Sequence, residues 1–118
     1  MLPPTHQEPY QKFKQTLEQI LESRLDIGLE KDELPKTLQN LQQLFKSEIA
    51  NLSADDLNSE YAGRWQSVQT EFLRQMRLLE TDVMLLQAAR RQATLETRIA
   101  GICDRIKTLI QYCEVLLQ

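Results

Sequence analysis

The sequence predicts an all-α protein, an up-down antiparallel four-helix bundle in which the third and fourth helices form a longer hairpin. Apolar residues recur at steps of three and four in four separate segments, which is the spacing of one face of an α-helix. Only 3 glycines and 4 prolines interrupt a chain of 118 residues, a length that fits one domain over residues 1–118. Short connections make consecutive helices antiparallel neighbours.

The first helix is predicted from Pro9 to Leu25. Residues 1–8 are predicted to be a flexible N-terminal tail, and Pro9 suits a first helical position because its missing N–H would be unpaired there. Gly28 follows the last turn, where glycine closes many helices. The apolar stripe of this helix consists of Tyr10, Phe13, Leu17, Ile20, Leu21 and Leu25.

The second helix is predicted from Pro35 to about Asn51, after an acidic connector at 30–33. Its stripe consists of Leu34, Leu38, Leu41, Leu44, Phe45 and Ile49. Ser53 resembles a helix cap with an acidic residue three positions later. It either starts the third helix at once or forms one separate turn, in which case Ser59 is the next candidate cap.

The third helix is the longest pattern and is predicted to end near Gln92, with Thr94 capping the fourth helix. Trp65 lies on the third stripe and is predicted to be a core residue, because large aromatic side chains dominate helix packing. The third stripe consists of Tyr61, Trp65, Val68, Phe72, Met76, Leu79, Val83 and Leu86. The fourth consists of Leu95, Ile99, Ile102, Ile106, Leu109, Cys113 and Leu116.

The far end of the third helix departs from a simple stripe. Residues 83–86 are four consecutive apolar residues. Successive side chains on a helix are rotated by about 100°, so these four cannot all face one neighbour. Two short helices would cover only the first ~25 Å of the long hairpin, so the tip from about residue 78 to 105 is predicted to project. A second copy, a partner protein, or the first or second helix could cover it. The predicted partner-binding residues are Val83, Met84, Leu85, Leu86, Arg90 and Arg91.

No residue pattern predicts catalysis, a cofactor or a metal site, so the protein is predicted not to be an enzyme. His6, the only histidine, is expected to be solvated in the tail. The net charge of −3 and the lack of a broad basic face argue against nucleic acid. No apolar run is long enough to span a membrane. Without an export signal, the protein is predicted to be cytoplasmic, with Cys103 and Cys113 reduced.

Several segments resemble the small cyanobacterial PatD proteins, named for control of heterocyst frequency. They are the runs DVMLLQAARR at 82–91, DRI at 104–106, LIQYCE at 109–114, LQQLF at 41–45 and the opening MLP. The resemblance implies a non-enzymatic cytosolic regulator. Such a protein would bind the division protein FtsZ, modulate its assembly and influence heterocyst differentiation frequency. It supplies no binding residues.

The main alternative is a homodimeric helical adaptor with an unrelated partner, in which the tip joins two copies. A third class is an enzyme or a cofactor carrier, for which the sequence offers no candidate site residues. The sequence leaves open the partner's binding face, the oligomeric state and whether the source organism forms heterocysts.

Overall fold

Helices account for nearly all of the fold. The computed structural model describes residues 2–27, 33–55 and 57–118; 87% of these are helical and none lies in a strand. The all-α prediction is therefore confirmed. The elements in chain order are α1 (Pro4–Ile27), α2 (Glu33–Leu44), a π-helical segment (Phe45–Ile49), α3 (Ser59–Ala88) and α4 (Gln92–Leu117). Among the described residues, no helix has both the length and the apolar content needed to cross a bilayer.

The core lies along the inner sides of all four helices. Helix α1 packs against α2 and α4, and α3 also packs against α2 and α4. The body that results is elongated, measuring 50 × 23 × 20 Å. Most of the residues on the four predicted stripes are buried, because each stripe can leave water only by facing the other helices. The largest fully buried side chains on these stripes are Tyr10, Phe13, Phe72, Leu17, Leu38, Leu41, Ile49, Leu79, Leu86, Ile102 and Ile106.

Three phenylalanine rings join three elements at the centre of this core. Phe72 of α3 lies 5.3 Å from Phe13 of α1 and 5.5 Å from Phe45 of the π-helical segment, measured between ring centroids. The Phe45 and Phe72 rings are stacked, with an interplanar angle of 8°. Aromatic contacts of this kind add to the stabilisation from area burial alone.

The predicted N-terminal tail is wrong for residues 2–8. Helix α1 begins at Pro4, because the Pro3 carbonyl accepts hydrogen bonds from the amides of His6 at 2.9 Å and Gln7 at 3.0 Å. Leu2 and His6 are buried, so the first turn is held by packing. Pro9 consequently lies inside the helix and not at its first position.

The helix ends differ from the predicted caps. The hydroxyl of Ser53 accepts from the Asp55 amide at 3.1 Å and forms a separate turn, one of the two alternatives. The cap of α3 is Asn58, whose Oδ1 accepts from the Glu60 amide at 2.9 Å. Helix α3 ends at Ala88 and not near Gln92. Helix α4 begins at Gln92, so Thr94 lies inside it and is not its cap.

The second helix changes pitch and does not run as one α-helix to Asn51. After Leu44 the chain continues as a π-helix, and the Ala50 amide donates to the Phe45 carbonyl at 2.9 Å. Both Phe45 and Ile49 remain buried. A π-helical turn widens the helix locally and is frequent at functional sites.

Helix α2 covers the part of α3 that was predicted to project. Pro35 and Leu38 line one cavity together with Val83 and Gln87, so the projecting-tip prediction is wrong on this side. The cause is the offset between the two helices. The end of the π-helical segment meets α3 at Gln69, where the Gln69 side-chain amide donates to the Ile49 carbonyl at 3.1 Å. That contact lies about three turns into α3.

Candidate protein-interaction surface on α3

The four consecutive apolar residues of α3 lie in three different environments. Leu86 is fully buried and Val83 is half-buried against the core. Met84 and Leu85 point outward, with 64% and 40% of their surface exposed. The prediction that Leu86 contacts a partner is therefore wrong, because the core would have to open to expose it. Met84 and Leu85 are the accessible members.

The arginines near this end are also unequal. Arg90 and Arg91 are both exposed in the short turn between α3 and α4. Arg91 is the N-cap residue of α4 and forms no side-chain capping bond. Arg105 is engaged within the chain, since its Nε donates to Asp82 Oδ2 at 2.6 Å and a terminal nitrogen donates to Gln75 at 2.7 Å. Arg90 and Arg91 are therefore exposed and follow the apolar pair within two turns along the chain.

A shallow groove runs between α2 and α3. Two adjoining cavities of about 250 Å³ each form it, and both are lined by Gln42 of α2 and Glu80 of α3. The first cavity reaches Met84, and the second reaches Leu73 and Arg77. One side of the groove is thus formed by α3.

Four exposed residues of α3 on this side of the groove define a surface that we call the α3 outer face: Leu73, Arg77, Glu80 and Met84. Their spacing of four, three and four residues confines them to an arc of about 60° on the helix. All four are exposed, including 38% of the surface of Leu73. Sequence reasoning missed this face because its two central positions are charged, so that only the buried stripe stood out as a periodic apolar signal.

A buried polar chain closes the opposite end of the molecule. Trp65 Nε1 donates to the Tyr10 hydroxyl at 3.1 Å, and that hydroxyl donates to the side-chain oxygen of Gln69. Burial raises the pKa of Tyr10, which keeps the hydroxyl protonated and able to donate. The prediction that Trp65 is a core residue is confirmed, since only 4% of its surface is exposed.

His6 belongs to the same end and is not solvated as predicted. Only 3% of its surface is exposed, its Nε2 lies 2.8 Å from the Ser53 carbonyl, and its ring meets Trp65 edge-on at 5.7 Å. Because the carbonyl can only accept, Nε2 is the donor. Both nitrogens are engaged, since Nδ1 lies 3.3 Å from the Thr5 hydroxyl. This arrangement has the form of a packing contact.

The cysteines occupy core positions. Cys113 is fully buried and Cys103 nearly so. Burial raises the pKa of the Cys113 thiol to about 12, which leaves very little of the reactive thiolate at neutral pH. In the part of the chain that the structure describes, no three His, Cys, Asp or Glu side chains are grouped so that they could hold a metal ion.

A sequence profile for the CRR41 C-terminal domain matches residues 10–114, which is most of the chain. The chain belongs to the CRR41 C-terminal domain family. The matched region includes all of α2 and α3 and most of α1 and α4. No curated protein and no solved structure matches the chain. Nothing in these comparisons names PatD or FtsZ, so that resemblance stays a prediction for this member of the CRR41 C-terminal domain family.

Proposed function

We propose that this member of the CRR41 C-terminal domain family is a non-enzymatic, cytosolic regulator that acts by binding a protein partner. The observation that carries the proposal is the exposure of Met84 and Leu85 beside Arg90 and Arg91. Interface centres are enriched in methionine and arginine, and apolar groups with arginine nearby are typical of protein contacts. Binding energy at such surfaces comes from a few anchoring side chains.

The partner is FtsZ in this proposal, on the strength of the resemblance to PatD proteins. Binding would modulate FtsZ assembly and thereby influence cell division and the frequency of heterocyst differentiation. The exposed arginines favour an acidic contact region on the partner. Leu85 would provide the apolar anchor, because it lies nearest along the chain to the arginines among the exposed large apolar residues of α3.

The proposal includes an up-down antiparallel arrangement of the four helices. Contacts between opposite ends of neighbouring helices support it. Trp65, early in α3, shares a pocket with Leu116, at the end of α4, and the start of α2 lies beside the end of α3. Lys14 of α1 lies 4.0 Å from Glu114 of α4. In this arrangement the α3–α4 connection lies at the same end as the proposed surface.

Titration of purified FtsZ against the purified protein, followed by FtsZ sedimentation, tests the proposal. Leu85→Glu and the double variant Arg90→Glu/Arg91→Glu should each weaken binding at least about tenfold, because each places an unmatched negative charge at the contact. Val115→Glu is the matched control, since Val115 of α4 is a similarly exposed apolar residue at the other end. It should bind like the unaltered protein.

Thermal melts of all three variants should show that each remains folded. Absence of FtsZ binding by the unaltered protein would reject FtsZ as the partner. If the Leu85 and arginine variants bind FtsZ as tightly as the unaltered protein does, the proposed surface is rejected. Loss of binding in the Val115 variant alone would place the contact at the opposite end of the molecule.

A further inference from the structure

The α3 outer face carries a pattern that is complementary to itself. Its order along the helix is apolar, positive, negative, apolar: Leu73, Arg77, Glu80 and Met84. We propose that this face pairs with the same face of a second copy, so that two α3 helices lie antiparallel across a two-fold axis between residues 78 and 79. This inference goes beyond the proposed function, because it needs neither FtsZ nor the arginines of the α3–α4 turn.

The proposed register follows from the symmetry. A two-fold axis brings the same surface patch of both copies together. A residue that lies a given number of positions before the axis therefore meets the residue that lies equally far after it in the other copy. Leu73 then faces Met84 of the partner subunit, and Arg77 faces Glu80 of the partner subunit. Every layer is matched in chemistry, with two apolar layers outside and two opposite-charge layers inside. The spacing of four, three and four residues is the spacing of a coiled-coil seam.

The charges distinguish this register from its competitor. A parallel pairing would place Arg77 against Arg77 and Glu80 against Glu80, which costs free energy through repulsion. Within the described chain, neither Arg77 nor Glu80 has an ion-pair partner within 4.0 Å. Their neighbours Glu71 and Arg74, on another side of α3, already pair with each other at 3.1 Å. The central charges of the α3 outer face are therefore available for a second copy.

The extent of the face sets the strength of the contact. Leu73 and Met84 are eleven residues apart, or about 16 Å along the helix. A contact over only about three helical turns should bury less surface than the roughly 1,200–2,000 Å² that stable interfaces bury. The exposed methionine supplies an adaptable apolar group at each end. We therefore expect a weak dimer whose population rises with protein concentration.

Sedimentation velocity over a range of protein concentrations tests the pairing. The unaltered protein should shift from monomer towards dimer as its concentration rises. The Arg77→Glu and Glu80→Arg variants should each remain monomeric, because in each homodimer like charges would face each other in both central layers. An equimolar mixture of the two variants should dimerise again. In the mixed pair, glutamate at 77 faces arginine at 80 of the other chain, and glutamate at 80 faces arginine at 77.

The matched control is the pair Arg74→Glu and Glu71→Arg, which reverses charges on another side of the same helix. Those variants should dimerise like the unaltered protein. A protein that stays monomeric at all concentrations would overturn the inference, as would a mixture of the Arg77 and Glu80 variants that stays monomeric. FtsZ binding by the same variants reads out the proposed function separately, since none of these substitutions alters Met84, Leu85 or the arginines at 90 and 91.

Discussion

The indole N–H of Trp65 donates a hydrogen bond to the hydroxyl of Tyr10 over 3.1 Å. This bond joins α3 to α1 inside the core. The Tyr10 hydroxyl in turn donates a hydrogen bond to the side-chain oxygen of Gln69, and the Gln69 amide donates to the Ile49 carbonyl at 3.1 Å. A single polar chain thus links α1, α3 and the end of the π-helical segment. Such networks are stabilising only while every member has its partner.

Tyr10→Phe should destabilise the fold by about 1–3 kcal/mol, because it leaves the Trp65 N–H without its acceptor and Gln69 without its donor. Urea unfolding followed by Trp65 fluorescence measures the loss. The matched control is Tyr112→Phe, at a half-buried tyrosine, which should change stability by less than about 0.5 kcal/mol. Equal effects of the two substitutions would show that the polar chain contributes nothing.

Removal of residues 1–6 should destabilise the protein and expose Trp65 to water. The deletion takes away buried Leu2 and the His6 ring that meets Trp65 at 5.7 Å. The rest of α1 should stay helical, since Pro9 would then lie in the first turn, where its missing N–H costs nothing. The expected results are a lower melting temperature and a red shift of Trp65 emission. An unchanged emission maximum would support the original prediction of a flexible tail.

The helices and their buried faces could be predicted from the sequence because burial imposes a period of 3.6 residues. Phe13, Phe72 and Ile106 are fully buried for this reason. Helix ends were predicted less well, since Ser59 and Thr94 carry capping side chains but do not cap. Which polar residue becomes the cap depends on where the chain turns, and Asn58 offers the same chemistry as Ser59.

The candidate surface could be predicted only in part. Consecutive apolar residues correctly indicated that Met84 and Leu85 lie off the buried stripe. The sequence could not show that α2 would cover Val83, because that depends on the offset between helices. It also could not show that Arg105 is held by Asp82, a contact between residues 23 positions apart. Long-range pairing leaves no periodic signal.

The Cys113 thiol should be unreactive in the folded protein. Its side chain is fully buried, and its pKa of about 12 leaves almost no thiolate at pH 8. A Cys103→Ser variant, in which Cys113 is the only thiol, should react with a thiol reagent only as fast as the protein unfolds. Addition of urea should restore the rate of an exposed thiol. Rapid reaction without urea would show that α4 opens locally at this position.

Stability should fall in alkaline solution. Burial raises the pKa of the Cys113 thiol from 9.0 to about 12, so the folded state holds this proton more tightly than the unfolded state. The resulting stability is fully present below pH 9 and declines as the pH rises towards 12. Urea midpoints should therefore decrease from pH 8 to pH 11, and Cys113→Ala should reduce the slope. A slope unchanged by this substitution would assign the loss to other groups, of which buried Tyr10 has a raised pKa as well.

Leu86 and Met84, two residues apart on α3, should lose very different amounts of stability on truncation. Leu86 is fully buried whereas Met84 is 64% exposed. Leu86→Ala should cost about 2–5 kcal/mol, through lost burial and the cavity left behind. Met84→Ala should cost less than about 1 kcal/mol, because most of its side chain already contacts water. Urea unfolding at a protein concentration below the dimerisation range compares them in the monomer. Similar small costs for both would mean that the end of α3 projects from the core after all, and similar large costs would mean that Met84 is buried and unavailable to any partner.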